Sequence, residues 1–142
     1  MSESGYSGTP LMKKLGARPG MRALFVGYPG GIPEIDAFDA WSERIDADEA
    51  SLPDGPFDYI HVFVKQDTAL EALASDLKSR LVPAGMVWMS WPKKASGVET
   101  TLEGNAVRRI GLDAGLVDIK VCAVDAVWSG LKFVIPVKDR KS

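Results

Sequence analysis

Two stretches of the chain carry the clearest strand patterns. Phe57–Lys65 is dense in β-branched and aromatic side chains, and Met86–Trp91 is apolar except for Ser90. Both predict strands, the second covered on both faces. Pro83 and Gly85 predict a stop before that second strand and Pro92 a stop after it, because proline donates nothing to a ladder. Met21–Val26 predicts an earlier strand that ends at Gly27. Between these runs the apolar spacing lengthens to three and four. Leu11, Met12 and Leu15 predict a short helix opened by Thr9-Pro10 and closed by Gly16. Pro33 opens a second helix, with Ile35, Ala37, Phe38 and Trp41 on its buried side. Leu70, Leu73, Leu77 and Leu81 share a face behind a Thr68–Glu71 capping box, with Lys78 and Arg80 at the C-terminal end. Leu102, Ala106, Val107 and Ile110 do the same behind Thr100–Glu103, up to Gly115. Gly104 and Gly111 weaken that helix by about 1 kcal/mol each.

Strict alternation returns near the C-terminus. Leu116–Val124 places Val117, Ile119, Val121 and Ala123 on one side, as in a half-exposed or edge strand. Leu131–Val137 opposes Leu131, Phe133 and Ile135 to Lys132 and Lys138. The short loop Asp125–Gly130 makes these two strands an antiparallel pair. Arg18-Pro19-Gly20 is a bend and Ser51–Pro56 a loop, and the acidic segment Glu43–Ala50 has room for a short edge strand at Arg44–Ala47. Strands alternating with helices predict an α/β fold of three layers, a mostly parallel sheet ending in an antiparallel hairpin. Residues 9–142 form a single domain in this reading, preceded by a loose Ser/Gly-rich segment, residues 1–8, that only Tyr6 pins down.

Composition removes several function classes. With 46% hydrophobic and 25% charged residues the chain is average for a globular protein. A net charge of -2 offers no global field for nucleic acid or membrane. Cys122 is the only cysteine, so neither an internal disulfide nor a site of several thiolates can form. Met1–Gly8 lacks a signal-peptide core, and no apolar run nears the ~20 residues that span a bilayer. A reducing cytoplasm is the expected location.

The candidate chemistry gathers at the carboxyl ends of the strands, where open α/β sheets bind ligands. A glycine-rich turn, Gly27-Tyr28-Pro29-Gly30-Gly31, follows the first strand and precedes a helix. It either presents amides to a phosphate or nucleotide, or answers to packing alone. Its spacing is not G-x-G-x-x-G, and no Walker lysine follows. Lys93, Lys94 and Ser96 follow Pro92 and project over the same edge. With the faces of Trp91, Trp128 and Tyr28 they suit an anion attached to a flat group, such as a nucleotide or phosphorylated metabolite. Trp91 and Trp128 alternatively face a protein partner, while Trp88 belongs to the core. His61, alone in mid-strand, reads as structural, and Cys122 as a packed thiol. No catalytic elbow and no metal-ligand spacing appears.

Pro19-Gly20-Met21-Arg22, Ala114-Gly115-Leu116-Val117 and the terminal hairpin resemble the Rossmann-like S-adenosylmethionine-dependent methyltransferases over Gly16–Val137. A second resemblance is to a family of short bacterial proteins of unknown function. It is carried by Gly5-Tyr6-Ser7-Gly8-Thr9-Pro10-Leu11, Ser90-Trp91-Pro92-Lys93-Lys94, Val121-Cys122-Ala123-Val124-Asp125 and Trp128-Ser129-Gly130-Leu131. The methyltransferase resemblance implies a shortened topology. Tyr28–Pro56 holds one helix and one short strand where two further elements usually follow. It also implies an acidic residue ending the second strand, Asp46 or Asp48, and S-adenosylmethionine or a nucleotide as ligand. Phe25 and Val26 occupy the place before the glycine turn where those enzymes carry an acid. The expected function is a binding or regulatory module without its own catalysis. The alternatives are a divergent methyltransferase and a structural partner for another protein.

Overall fold

The computed structural model describes residues 10–140, so residues 1–8, expected to be loose, and the expected Thr9 cap lie outside the described residues. The helices are α1 (Leu11–Lys14), α2 (Pro33–Ala37), α3 (Asp67–Ala74) and α4 (Gly104–Asp113). The strands are β1 (Arg22–Val26), β2 (Glu43–Ala47), β3 (Phe57–Phe63), β4 (Leu81–Pro92), β5 (Val117–Ala123) and β6 (Trp128–Val134). They form one sheet in the order β2-β1-β3-β4-β6-β5. Only β6 runs against its neighbours. The three-layer, mostly parallel sheet with its antiparallel hairpin is as the sequence predicts, and β2 is the expected short edge strand. Leu70, Leu73, Val107 and Ile110 pack α3 and α4 on one face, where Val62, Val87 and Phe133 meet them. On the other, α1 and α2 cover an aromatic layer of Phe25, Tyr59, Phe63, Trp88 and Trp128.

Several boundaries differ from expectation for identifiable reasons. β4 begins at Leu81 and runs through Pro83 and Gly85, which predicted a stop. Its pairing with β3 shifts register between Phe57 and Tyr59, and this bulge absorbs both residues. Leu81 is therefore a strand residue, and α3 ends at Ala74, with a 3₁₀ turn Lys78–Arg80 between them. Pro92 is still paired, opposite Trp128. β6 begins at Trp128, three residues before the predicted start, because Gly130 passes beneath Trp88. A Cβ there would lie 3.0 Å from the indole ring.

Neither Thr–Glu pair forms the predicted capping box. The α3 amides are served by Asp67 Oδ1, which accepts from Thr68 N, and by Thr101 Oγ1, which accepts from Asp67 N. Glu103 itself caps α4, accepting from Asn105 N and Ala106 N. Thr100 instead donates to the Lys65 carbonyl and accepts from Leu102 N. α2 is shorter than predicted, so Phe38 and Trp41 pack from the loop after it. A bulge between Asp118 and Lys120 breaks the alternation of β5, leaving Ile119 and Val121 exposed and Cys122 buried. The Gly16 stop holds: Gly16 (φ 82°) donates to Lys13 O and Ala17 N to Met12 O, closing α1 as a Schellman turn.

The two α4 glycines are not equivalent. Gly104 opens the helix, and a Cβ on it would rest 3.8 Å from the Trp91 ring. A Cβ on Gly111 would fall 2.0 Å from the Phe133 ring, so this glycine sets how closely helix and sheet approach. Gly111→Ala is expected to cost about 2–3 kcal/mol through overpacking, and Gly104→Ala to change stability by less than about 1 kcal/mol. Urea midpoints of the two variants against wild type check both.

Candidate functional site

The carboxyl ends of β1, β3 and β4 share one edge of the sheet, beside the start of β6. The segments after β1, after β4 and before β6 therefore meet there. Gly27 (φ 68°) turns so tightly against β3 that a Cβ would sit 2.7 Å from the Phe63 carbonyl oxygen. Its amide donates to Ala47 O, so the turn leaves the sheet level with the end of β2. Gly30 (φ 82°) and Gly31 (φ 81°) follow with open space where a side chain would stand. Their amides have no acceptor among the described residues.

Most of the other predicted side chains are engaged within the fold. The Tyr28 hydroxyl donates to Asp36 Oδ1 at 2.6 Å and accepts from Ile32 N. Burial and then the Asp36 hydrogen bond push that hydroxyl up to about 12. Lys93 Nζ donates to the Asp125 carbonyl at 2.8 Å, and Ser96 Oγ donates to Lys93 O at 2.6 Å. Asp125 Oδ1 accepts from Val127 N and Trp128 N, tightening the turn before β6. Lys94 is exposed and has no partner among the described residues. The three aromatic residues do not form one wall. Tyr28 and Trp128 flank Phe63 on the α1/α2 face, at ring distances of 5.4 and 5.2 Å. Trp91 packs on the opposite face with α4. Trp91 and Trp128 are both buried rather than exposed for a partner.

A groove of about 320 Å³ opens beside Trp91, lined also by Lys94, Gly97, Thr100, Glu103 and Gly104. It is the one part of the predicted edge where Trp91 and Lys94 meet. A larger groove of about 560 Å³ lies at the other pole, between Leu81, Ala114 and Ile135. It is spanned by the Lys78–Asp139 ion pair and holds none of the residues predicted to bind ligand. At the end of β2, Arg44 pairs with Asp46 through two contacts of 2.8 and 3.0 Å and lies over the Phe25 ring. Asp48, one step beyond the strand, accepts from Ala50 N through Oδ1. Its Oδ2 receives no donor among the described residues.

Beneath the edge runs a polar chain that the sequence does not make obvious. The Tyr59 hydroxyl lies 2.9 Å from His61 Nδ1, and His61 Nε2 lies 2.7 Å from Ser90 Oγ. All three residues are fully buried. Burial lowers the imidazole pKa from 6.5 to about 3, so the ring is neutral. It stacks on Phe63 at 4.3 Å. The available signal was His61 and Ser90, each set among apolar residues in the interior of a central strand, where polar groups bury well only as partners.

Neither a protein-family profile nor a curated protein sequence matches the chain. Solved structures do. A methyltransferase dependent on S-adenosylmethionine from Aquifex aeolicus aligns over 89% of this chain and 88% of its own, with TM-score 0.61 and 18% identity. The magnesium protoporphyrin IX methyltransferase of Synechocystis, solved with bound S-adenosylmethionine, aligns over 89% and 74%, with TM-score 0.59 and 16% identity. The Methanococcus jannaschii fibrillarin pre-rRNA processing protein aligns over 92% and 70%, with TM-score 0.57 and 14% identity. The chain therefore has a Rossmann-like, methyltransferase-type fold, with only α2 and β2 between β1 and β3.

The neutral imidazole makes stability depend on pH. Its folded pKa is depressed, so the stability it contributes is complete above the unfolded value of 6.5 and declines as pH falls toward about 3. Between pH 7.5 and pH 5 the protein should lose about 2 kcal/mol from this group alone, measured by urea denaturation, and His61→Gln should flatten that slope. As His61 is the sole histidine, its ring proton resonances should stay unshifted from pH 8 to pH 5. A midpoint near 6.5 would refute the assignment.

Proposed function

We propose that the protein binds S-adenosylmethionine, or an adenosyl compound of similar shape, over the carboxyl ends of β1 and β2 as a reduced methyltransferase-type domain. The observation that carries this reading is a register. Val26 pairs with Ala47 in parallel strands, so the glycine turn and Asp48 leave the sheet side by side, about 4.8 Å apart. The residues there fit both polar ends of such a ligand. The Gly30 and Gly31 amides are donors suited to a carboxylate, and the Asp48 carboxylate is an acceptor suited to a ribose diol. Asp46 is the poorer acceptor, because Arg44 already occupies its two oxygens. S-adenosylmethionine supplies a methyl group on a sulfonium, ready for transfer to a nucleophile. The methyltransferase fold of the structural neighbours supports this ligand class.

A second reading, a binding module without catalysis, is favoured by the state of the ionisable groups at this edge. His61 is buried and neutral, Lys93 is held by a carbonyl, and Tyr28 is held by Asp36. None of these side chains is placed to take a proton from an acceptor. Binding and turnover separate the two readings.

At 100 times its dissociation constant, a ligand adds about 2.7 kcal/mol of stability, equivalent to a Tm rise of about 5–10 °C at this chain length. S-adenosylmethionine and S-adenosylhomocysteine should both produce such a saturable rise. Asp48→Ala and Gly30→Val should each abolish it. No saturable rise with either compound at millimolar concentration would refute the proposal. Saturable binding without label transfer from methyl-labelled S-adenosylmethionine to any component of a cell extract would favour the module.

A further inference from the structure

Away from that edge, the α1 side of the sheet carries a crowd of cations. Lys120 and Lys132 stand directly opposite each other on β5 and β6. Like charges in that position oppose sheet formation. Lys120 Nζ is drawn to the end of α1, where it donates to the Lys14 carbonyl at 2.9 Å. Lys132 is half-buried beneath the turn after α1, so close that a Cβ on Gly16 would lie 3.2 Å from its Nζ. Burial, then Lys120 and Arg18, hold the Lys132 ammonium below the ordinary lysine range. Among the described residues no carboxylate pairs with Lys14, Arg18, Lys120 or Lys132. Lys132 Nζ also has no acceptor among them.

A solvated surface lysine swings clear of its neighbours. Here Lys132 is restrained. The β5–β6 register sets the two lysines opposite each other, and the α1 turn closes over the half-buried Lys132. The fold thus gathers the Lys132 and Lys120 ammonium groups at the end of α1 with no carboxylate partner among the described residues, an arrangement that costs free energy until an anion enters. A compact oxyanion of two negative charges matches it best, because several donors can share its oxygens.

We propose that Lys132 and Lys120, at the end of α1, form a binding site for a phosphate group, free or as the terminal phosphate of a small metabolite. The site is independent of the β1/β2 edge, and its cations stabilise the folded chain only when the phosphate is present.

Thermal unfolding of the full chain tests this in sodium chloride, sodium phosphate and glycerol 3-phosphate at matched ionic strength. Both phosphate compounds should raise Tm by several degrees in a saturable manner beyond the chloride control. A response to the ester that exceeds the response to inorganic phosphate would identify the metabolite form, and the reverse the free ion. Lys132→Met should lose the phosphate response while its Tm in chloride equals or exceeds that of wild type. Should that variant fail to fold, Lys120→Gln should raise the half-saturating phosphate concentration at least tenfold. Asp48→Ala should keep the full response, which separates failure of this site from failure of the adenosyl site. Equal effects of chloride and phosphate, or an undiminished response in Lys132→Met or Lys120→Gln, would overturn the assignment.

Discussion

The contact from His61 Nε2 to Ser90 Oγ, at 2.7 Å, is the constraint on which the centre of the sheet depends. β3 and β4 are apolar strands buried on both faces, and hydrophobicity alone does not distinguish one register from the next. A slip of one residue would turn each side chain to the other face and leave an imidazole and a hydroxyl in hydrocarbon. Pairing the two polar groups selects one register, with Phe63 level with Ser90. The Tyr59 hydroxyl completes the chain at the other ring nitrogen.

That register carries through to the edge where a ligand is proposed. With Phe63 fixed, its carbonyl oxygen meets the backbone at Gly27, where nothing larger than hydrogen fits. The glycine turn must then leave β1 at the level where β2 delivers Asp48. On the other side Lys93 N donates to Val127 O, so the end of β4 and the start of β6 are held together. The same sheet brings Lys120 opposite Lys132. Both proposed ligand surfaces thus follow from one arrangement of strands.

Much of this fold was legible because long apolar runs have few ways to be buried. β1, β3, the core of β4, the edge strand β2 and the antiparallel hairpin follow from patterning. What patterning missed is local competition among similar groups. Thr68–Glu71 and Thr100–Glu103 are plausible caps, but Asp67, Thr101 and Glu103 lie closer to the open amides. Pro83 and Gly85 look like stops, yet a bulge accommodates them. Ser129-Gly130 looks like a turn, yet a strand needs that glycine beneath Trp88. Convergence of the glycine turn, the lysines and the Asp125 loop on one edge was also legible, as strand direction decides it. That Lys93, Ser96 and Tyr28 are held by neighbouring backbone and by Asp36 was not, because such bonds depend on loop geometry that no spacing encodes.

The structural role of the buried pair is open to direct measurement by a double-mutant cycle on His61→Phe and Ser90→Ala, read by urea denaturation at pH 7.5. His61→Phe leaves Ser90 Oγ and the Tyr59 hydroxyl without their partner and Ser90→Ala leaves His61 Nε2, whereas the double variant leaves only the Tyr59 hydroxyl. The account predicts a double variant less destabilised than the sum of the singles by about 1–3 kcal/mol. Strict additivity would contradict it, for the two side chains would then be buried independently and the strand register would owe nothing to their contact.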